Sequence, residues 1–466
     1  MWKKAVNRII TAFMSVIFIL IMTGCGDISL FFGGKIPEGV TIAGVDIGEM
    51  KIEQAEKKLD DIREALRDSA KFTFKFNGKE TILPKEYIKV TVNPGTVFED
   101  IVRQHKVNRN YDIDYAIDVS AARDFVSQLA SSYNTSPIDA TVRVQSGLPE
   151  RFEYSKPTTG IHVNDDAAFS ALLERAACKD FSAIDLTYTD VPPAVTIEML
   201  KANTMLISSF KTEYKKPILG YANRVFNIAK AASLINGTEV KPGELFDANK
   251  TIGPRTYELG WKSAGAIVHG AMVHEAGGGV CQVSTTIYNA VLLAGLEVVE
   301  RRNHSIPSLY VPLGRDATIY TGATNFRFRN NKDTPVYIFA KADSKNKTLT
   351  IEIFGRPHPE GYEIKLSSKQ TGTFKTTKST EYVLDSSVPI GSQVVEREAR
   401  TGKKAVTYVD HYQDGKLIQR DEIVSIYDAC SARIHINPVD TVWMPEDTIY
   451  ADPIKYPTPE DDIDSY

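Results

Sequence analysis

The chain has 466 residues, 42% of them hydrophobic and 24% charged, with a formal net charge of −4. That length and apolar content suffice for two to four domains with cores of their own, and they exclude an intrinsically disordered protein. Lys and Arg number 55 against 59 Asp and Glu, which excludes a nucleic-acid binder working through a concentrated basic face.

The first 25 residues, MWKKAVNRIITAFMSVIFILIMTGC, pass from basic positions (Lys3, Lys4, Arg8) through the apolar run Ile9 to Met22 and end on small residues and a cysteine. The run is short of the roughly 20 residues a spanning helix needs and fits a signal-peptide core. Met22-Thr23-Gly24-Cys25 resembles the bacterial lipobox, with methionine in the usual place of leucine. This predicts lipidation at Cys25, a membrane anchor there, and an extracytoplasmic location for everything beyond it. Removing the signal takes away three basic residues and no acid, leaving 52 against 59, a net −7. Most of that excess sits in the proline-punctuated tail after Pro445, so the folded part is near neutral and residues 438–466 are expected to be disordered.

From residue 36 to 195 the pattern reads as an α+β region built in two similar rounds. The first has a strand-like stretch, IPEGVTIAGVDIGEM, a helix over 51–66, and strands near 71–76 and 81–83. The second has a helix near 119–129, strands near 140–144 and 152–154, a helix near 165–177 and a strand at 184–188. Pro192 and Pro193 close it. Residues 204–356 form a glycine-rich α+β block, bounded by Pro357 and Pro359. Residues 361–437 alternate like a small all-β module. The fold class expected is therefore α+β multidomain.

Within the central block, GGGVCQVSTTIYNAVLLAGLEVVERRNHS carries the chemistry. Gly277, Gly278 and Gly279 permit a sharp turn into Cys281. Helical spacing of Val283, Ile287, Val291 and Leu292 then runs to the stop signal Gly295. Cys281 falls in the first turn of that helix, where unpaired amides and the helix dipole favour a thiolate below the free value of about 8.5. A strand over 296–302 returns along the helix and brings His304 within reach of the thiol. Asp316, in PLGRDATIY, is the nearest downstream carboxylate that would orient the imidazole. The order of cysteine, helix, strand, histidine and aspartate looks like that of transglutaminase-like thiol enzymes, in layout only.

A structural reading stands beside the catalytic one. Cysteine is also a small hydrophobe suited to the start of a buried helix, His304 and Ser305 could cap backbone groups, and Arg315 with Asp316 could form a structural ion pair. A zinc reading of His269, His274, Cys281 and His304 is weaker, because five residues along a strand place the first two histidines on opposite faces and the spacing fits no compact zinc motif. No metal or cofactor is expected. Cys178, Cys281 and Cys430, an odd set, imply no disulfide framework. Upstream, IGPRTYELGWKSAGAI offers Arg255, Tyr257 and Trp261. An arginine beside an aromatic ring suits a sugar face or a peptide carboxylate, although core packing is the commoner use of a single residue such as Trp261.

The blocks FNIAKAASLINGTEVKPGELFDANKTIGPRT, GGGVCQVSTTIYNAVLLAGLEVVERRNHS, VPLGRDATIY and NFRFRNNKDTPVYI, in that order over residues 212 to about 341, resemble the VanW family, named from B-type vancomycin-resistance clusters. GVTIAGVDIGEM and PTTGIHVNDDAAF resemble the peptidoglycan-binding domain that commonly precedes it. The module at 361–437 is similar to the small extracellular "G-five" module associated with cell-wall sugars. The resemblance implies a bacterial cell-envelope location and a pattern that includes Cys281, Gln282, Ser284, His304, Arg315 and Asp316, but neither His269 nor His274. The expectation is a lipoprotein that binds peptidoglycan and carries a ligand cleft lined by Arg255, Trp261, Gln282, Ser284 and Arg315 around Cys281, His304 and Asp316. The alternatives are a thiol-dependent acyltransferase or peptidase using those last three residues, and a non-catalytic adaptor at the membrane.

Overall fold

The computed structural model describes residues 35–145, 150–214, 221–268 and 271–437. The expected signal segment 1–25 with Cys25, the acidic tail 438–466, and His269 lie outside them. Among the described residues no helix is long and apolar enough to cross a membrane. The described residues form two compact units, one of those up to Ile138 together with Thr158–Pro193, the other of those in Asp139–Pro157 and from Ala194 to Asn437.

The first unit is α+β around one core that includes Phe72, Phe74 and Phe98. The single strand expected over 36–50 is a hairpin instead, Thr41–Ile42 pairing antiparallel with Val45–Asp46. Ala43 at φ 50° and Gly44 at φ 80° provide the two successive left-handed residues that this tight turn requires. The helix expected over 51–66 comes as two, Ile52–Glu56 and Leu59–Ser69, yet the apolar spacing holds, since Ala55, Ile62 and Leu66 are all buried. Helices Arg123–Tyr133 and Asp165–Cys178 follow. The second of these is capped by the Asn164 side chain, which accepts from the Ala167 amide at 2.9 Å.

The strands Val142–Val144 and Phe152–Tyr154 interrupt this region in sequence but belong to the second unit. Phe152 accounts for it. Its ring stands edge-on to Tyr337, Phe339 and Phe354 at 5.1, 5.5 and 5.7 Å, and the neighbouring Arg151 pairs with Glu352 at 2.5 Å.

The second unit centres on an antiparallel sheet in the order Met205–Glu213, Thr348–Gly355, Val336–Asp343, Thr238–Val240. Helices Tyr221–Ile235 and Val280–Leu293 lie on it. The helix Val280–Leu293 is covered on all sides, every residue from Gln282 to Leu292 being buried, as expected of a helix at the centre of a domain. A three-stranded sheet of Leu245–Asp247, Arg327–Arg329 and Glu297–Glu300 closes one side.

The C-terminal module is all β. Tyr362–Phe374, Gly402–Gln413 and Lys416–Tyr427 form one antiparallel sheet; Glu381–Leu384, Arg433–Asn437 and Ser392–Arg397 form a smaller one. Ile364 and Val409 from the larger sheet share one hydrophobic cluster with Val283, Ile287 and Val291 of the central helix.

Candidate active site

The glycine triplet is demanded by what crosses it. A Cβ at Gly278 would lie 2.2 Å from the Ala264 carbonyl oxygen, an overlap no side chain survives. Gly277 at φ 81° and Gly279 at φ 107° adopt backbone angles that suit glycine. They also leave room for two arginine stems, with Arg255 Cβ 2.9 Å from the position a Cβ would take at Gly277 and Arg224 Cγ 2.9 Å from that at Gly279. The chain then enters the helix with Gly279 as its N-cap and Cys281 as its second residue.

The polar residues of that helix hold the segment that carries the acid. Ser284 Oγ donates to the Ala317 carbonyl at 2.7 Å, and Thr285 Oγ1 accepts from the Ala317 amide at 3.0 Å. Asn289 Nδ2 donates to the Arg315 carbonyl at 2.8 Å. Asp316, between these anchors, is thereby fixed relative to Cys281.

Cys281, His304 and Asp316 meet. His304 Nδ1 lies 2.6 Å from Asp316 Oδ2, and the His304 backbone amide donates to the same oxygen at 2.8 Å. This fixes the ring and leaves Nε2 to act on Cys281, whose thiol is electrostatically coupled to the imidazole. Asp316 Oδ1 accepts from the Tyr427 hydroxyl at 2.5 Å and faces Arg301 Nη2 at 3.6 Å. His304 and Asp316 are 5% and 1% exposed, whereas Cys281 retains partial exposure.

Burial pushes the Cys281 thiol up, but the His304 hydrogen bond and charge outweigh it, helped by Thr318 and the Ile319 backbone, and bring it from its ordinary 9.0 to about 7. The neutral thiol has a place to rest, because Sγ lies 3.4 Å from the Ile319 carbonyl oxygen as a donor. Burial would push His304 down, yet hydrogen bonds to Asp316 and Cys281 carry it from 6.5 to about 9. Asp316 is held below the usual carboxylate range by His304 and Tyr427 despite its burial. Between those two values the site is a thiolate–imidazolium pair oriented by a carboxylate, the arrangement nucleophilic acyl chemistry uses.

The other expected site residues fall elsewhere. Trp261 is a core residue, 3% exposed, with Lys230 Nζ 4.9 Å above its ring. Gln282 is buried, accepting from Arg224 Nη2 at 2.8 Å and donating to Thr212 Oγ1 at 3.0 Å and to the Glu213 carbonyl at 3.1 Å. Ser284 is wholly engaged with backbone. Arg315 does not pair with Asp316; its Nε donates to Asn289 Oδ1 at 2.8 Å and its guanidinium covers Phe210, while Arg301 is the arginine at Asp316. Arg255 does stand beside the glycine loop. His274 lies in the strand Ala271–Ala276, which pairs antiparallel with Ser263–Val268, so these two segments are not one continuous strand. Among the described residues no group of three or more His, Cys, Asp and Glu could hold a metal ion. A surface depression of about 680 Å³ lined by Lys211, Lys341, Asp343 and Lys347 shares no residue with the triad.

Sequence reasoning missed Arg224, Arg301, Thr318, Tyr310 and Tyr427. Tyr310 stands edge-on to His304 at 6.5 Å, and burial keeps its hydroxyl protonated. Arg224 had one signal, a lone arginine on the apolar face of the helix Tyr221–Ile235 beside Ile228 and Ala231. Tyr427 had none, since it comes from the end of the strand Lys416–Tyr427 in a different module.

Comparison with known proteins gives three family profiles in order. Residues 75–185 match "Putative peptidoglycan binding domain", 223–354 match "VanW like protein" and 367–434 match "G5 domain". The "Uncharacterized protein YoaR" of Bacillus subtilis (strain 168) is 37% identical over 171 residues, 36% of this chain and 55% of that protein. The "Vancomycin B-type resistance protein VanW" of Enterococcus faecalis (strain ATCC 700802 / V583) is 28% identical over 154 residues, 32% of this chain and 55% of that protein. The chain thus spans about half the length of the curated relatives it matches. Among solved structures, an IgA1 protease G5 domain is matched at 13% identity and TM-score 0.12, covering 17% of this chain and 94% of that one. The Ldtfm–avibactam carbamoyl enzyme is matched at 12% identity and TM-score 0.16, covering 48% and 75%.

Proposed function

From a chain that carries a VanW domain between a peptidoglycan-binding domain and a G5 domain, we propose a cell-wall-associated thiol enzyme that transfers an acyl group of a wall peptide through Cys281. The observation that carries this reading is the His304–Asp316 pair, buried and coupled to a Cys281 thiol whose residue keeps partial exposure. The thiolate forms a C–S bond to the attacked carbonyl carbon. The oxygen takes the charge, next to the Cys281 amide at the helix start. His304 then gives its Nε2 proton to the leaving amine as the C–N bond breaks, producing a thioester. Water, or an amine of a second peptide, attacks the thioester while His304 takes its proton, and the thiolate is restored. Asp316 holds the imidazole in the tautomer both steps need.

Attachment to the wall rests on the flanking domains, and attachment to the membrane on lipidation of Cys25. The test is incubation of the full chain with purified peptidoglycan, acid quench, and mass spectrometry of the Cys281 peptide and of the released fragments. The expected result is a thioester adduct and new fragments from wild type, and sacculus binding without either from Cys281→Ala. Identical fragment patterns from wild type and Cys281→Ala would sink the catalytic reading, and no binding to sacculi would sink the wall association.

A further inference from the structure

Two arginines pack against the glycine turn that leads into Cys281 and serve none of the steps above. Arg224 is 7% exposed, and its Nη2 donates to an amide oxygen, Gln282 Oε1. Arg255 anchors Nη1 on Asn249 Oδ1 at 3.0 Å and on the Gly253 carbonyl at 3.3 Å, while its Nη2 is buried with no partner. Among the described residues neither arginine forms an ion pair. Glu275 faces Arg255, but it spends one oxygen on the Tyr320 hydroxyl at 3.0 Å and does not reach ion-pair distance. Leaving a guanidinium N–H buried and unbonded is costly unless an acceptor arrives.

The glycine triplet explains how both stems come so close to the nucleophile. With any side chain at 277 or 279, the arginines could not lie across the turn that ends at Cys281. Burial lowers both guanidiniums while the Cys281 thiolate raises both, which is consistent with a shared site. A planar fork held by one nitrogen and offering the other matches a carboxylate oxygen.

Resting on the thiol reading, we infer that Arg255 and Arg224 form a carboxylate subsite beside Cys281, so that the substrate is a peptide with a free carboxylate close to the attacked carbonyl, not an internal stretch of chain. Chain-end selection follows, because the uncharged amide of an internal peptide bond could accept from Nη2 but would leave two guanidiniums without a counter-charge, whereas a carboxylate supplies both.

The test compares two alkylating probes, iodoacetate and iodoacetamide, on the full chain, with the rate read at the Cys281 peptide so that Cys178 and Cys430 do not contribute. Each protein's iodoacetate-to-iodoacetamide ratio is referred to that of free cysteine. The expected ratio is about tenfold above free cysteine in wild type, the factor one charge-assisted hydrogen bond supplies. It falls to near the free value in Arg255→Gln and stays partly raised in Arg255→Lys, which keeps the charge but loses the fork. A wild-type ratio at or below that of free cysteine, with iodoacetamide labelling intact, overturns the carboxylate subsite alone. Failure of Cys281 to react even with iodoacetamide overturns the thiol reading, and this one with it.

Discussion

Replacing His304 with Gln tests the heart of the site, because the substitution removes the charge and the proton acceptor while keeping an amide near Asp316. In wild type the thiol stands at about 7 against an ordinary 9.0. Burial pushes it up, so without the imidazole it returns to 9 or above. Two units correspond to about 2.7 kcal/mol. At pH 7.5 the thiolate fraction would drop from about three-quarters to about 3%, a factor of about 25. The rate at one pH moves less, since a more basic thiolate is the better nucleophile. With a Brønsted coefficient of about 0.45 that gain is about eightfold, leaving a net loss of only about threefold. The midpoint of the pH–rate profile is therefore the decisive readout, measured with a small aromatic disulfide and followed at the Cys281 peptide. Wild type should show a rising limb near 7 and His304→Gln one at 9 or higher. A midpoint that does not move would refute the coupling, whatever the rates.

Wall-peptide turnover should be bell-shaped in pH, rising through about 7 as the thiolate forms and falling through about 9 as His304 loses its proton; a single-limbed profile would count against the ion pair. Tyr427→Phe strips a hydrogen bond from the Asp316 carboxylate and an acceptor from the Gly314 amide, and should lower stability by about 1.5–3 kcal/mol in urea unfolding. Gly278→Ala places a methyl against the Ala264 carbonyl and should prevent the native turn, read as loss of Cys281 reactivity at neutral pH together with a fall in the urea midpoint. In the outer β module, His435 is raised above its ordinary 6.5 by Glu396 and, against some burial, by Asp385. Its stabilisation is full below that ordinary value and is lost as pH rises through the raised one. Amide exchange of Arg433–Asn437, corrected for intrinsic pH dependence, should quicken there in wild type but not in His435→Gln.

The core of the site was legible because it lies in one continuous piece of chain whose local signals agree. Glycines before a helix start, a glycine after its end and a strand leading back to His304 leave few ways for Cys281 and His304 to miss each other. Asp316 was found as the nearest acid downstream, and the polar helix residues that fix it were visible but open to a ligand-binding interpretation. Ser284 and Gln282 turned inward because a wholly covered helix must satisfy its polar groups within the protein. Trp261 followed the ordinary tendency of aromatics to bury. Partners far apart in sequence left no periodic trace, so Tyr427, 111 residues from Asp316, and the hairpin carried into the second unit by Phe152 were beyond reach. The helix over 51–66 and the strand over 36–50 failed locally, where a restart and a two-residue left-handed turn kept the burial pattern while changing the backbone.

Tyr427 also has a bearing on where this protein may be cut. The sequence-matched segment 223–354 contains the sulfur, the imidazole and the carboxylate, yet the hydroxyl that steadies the carboxylate arrives from residue 427, and Ile364 and Val409 seal the same interior. A fragment ending at the family boundary would expose an oily seam and leave its acid half-solvated. Recombinant pieces should therefore run through residue 437, and grafting a foreign outer module onto the central one would amount to editing the chemistry.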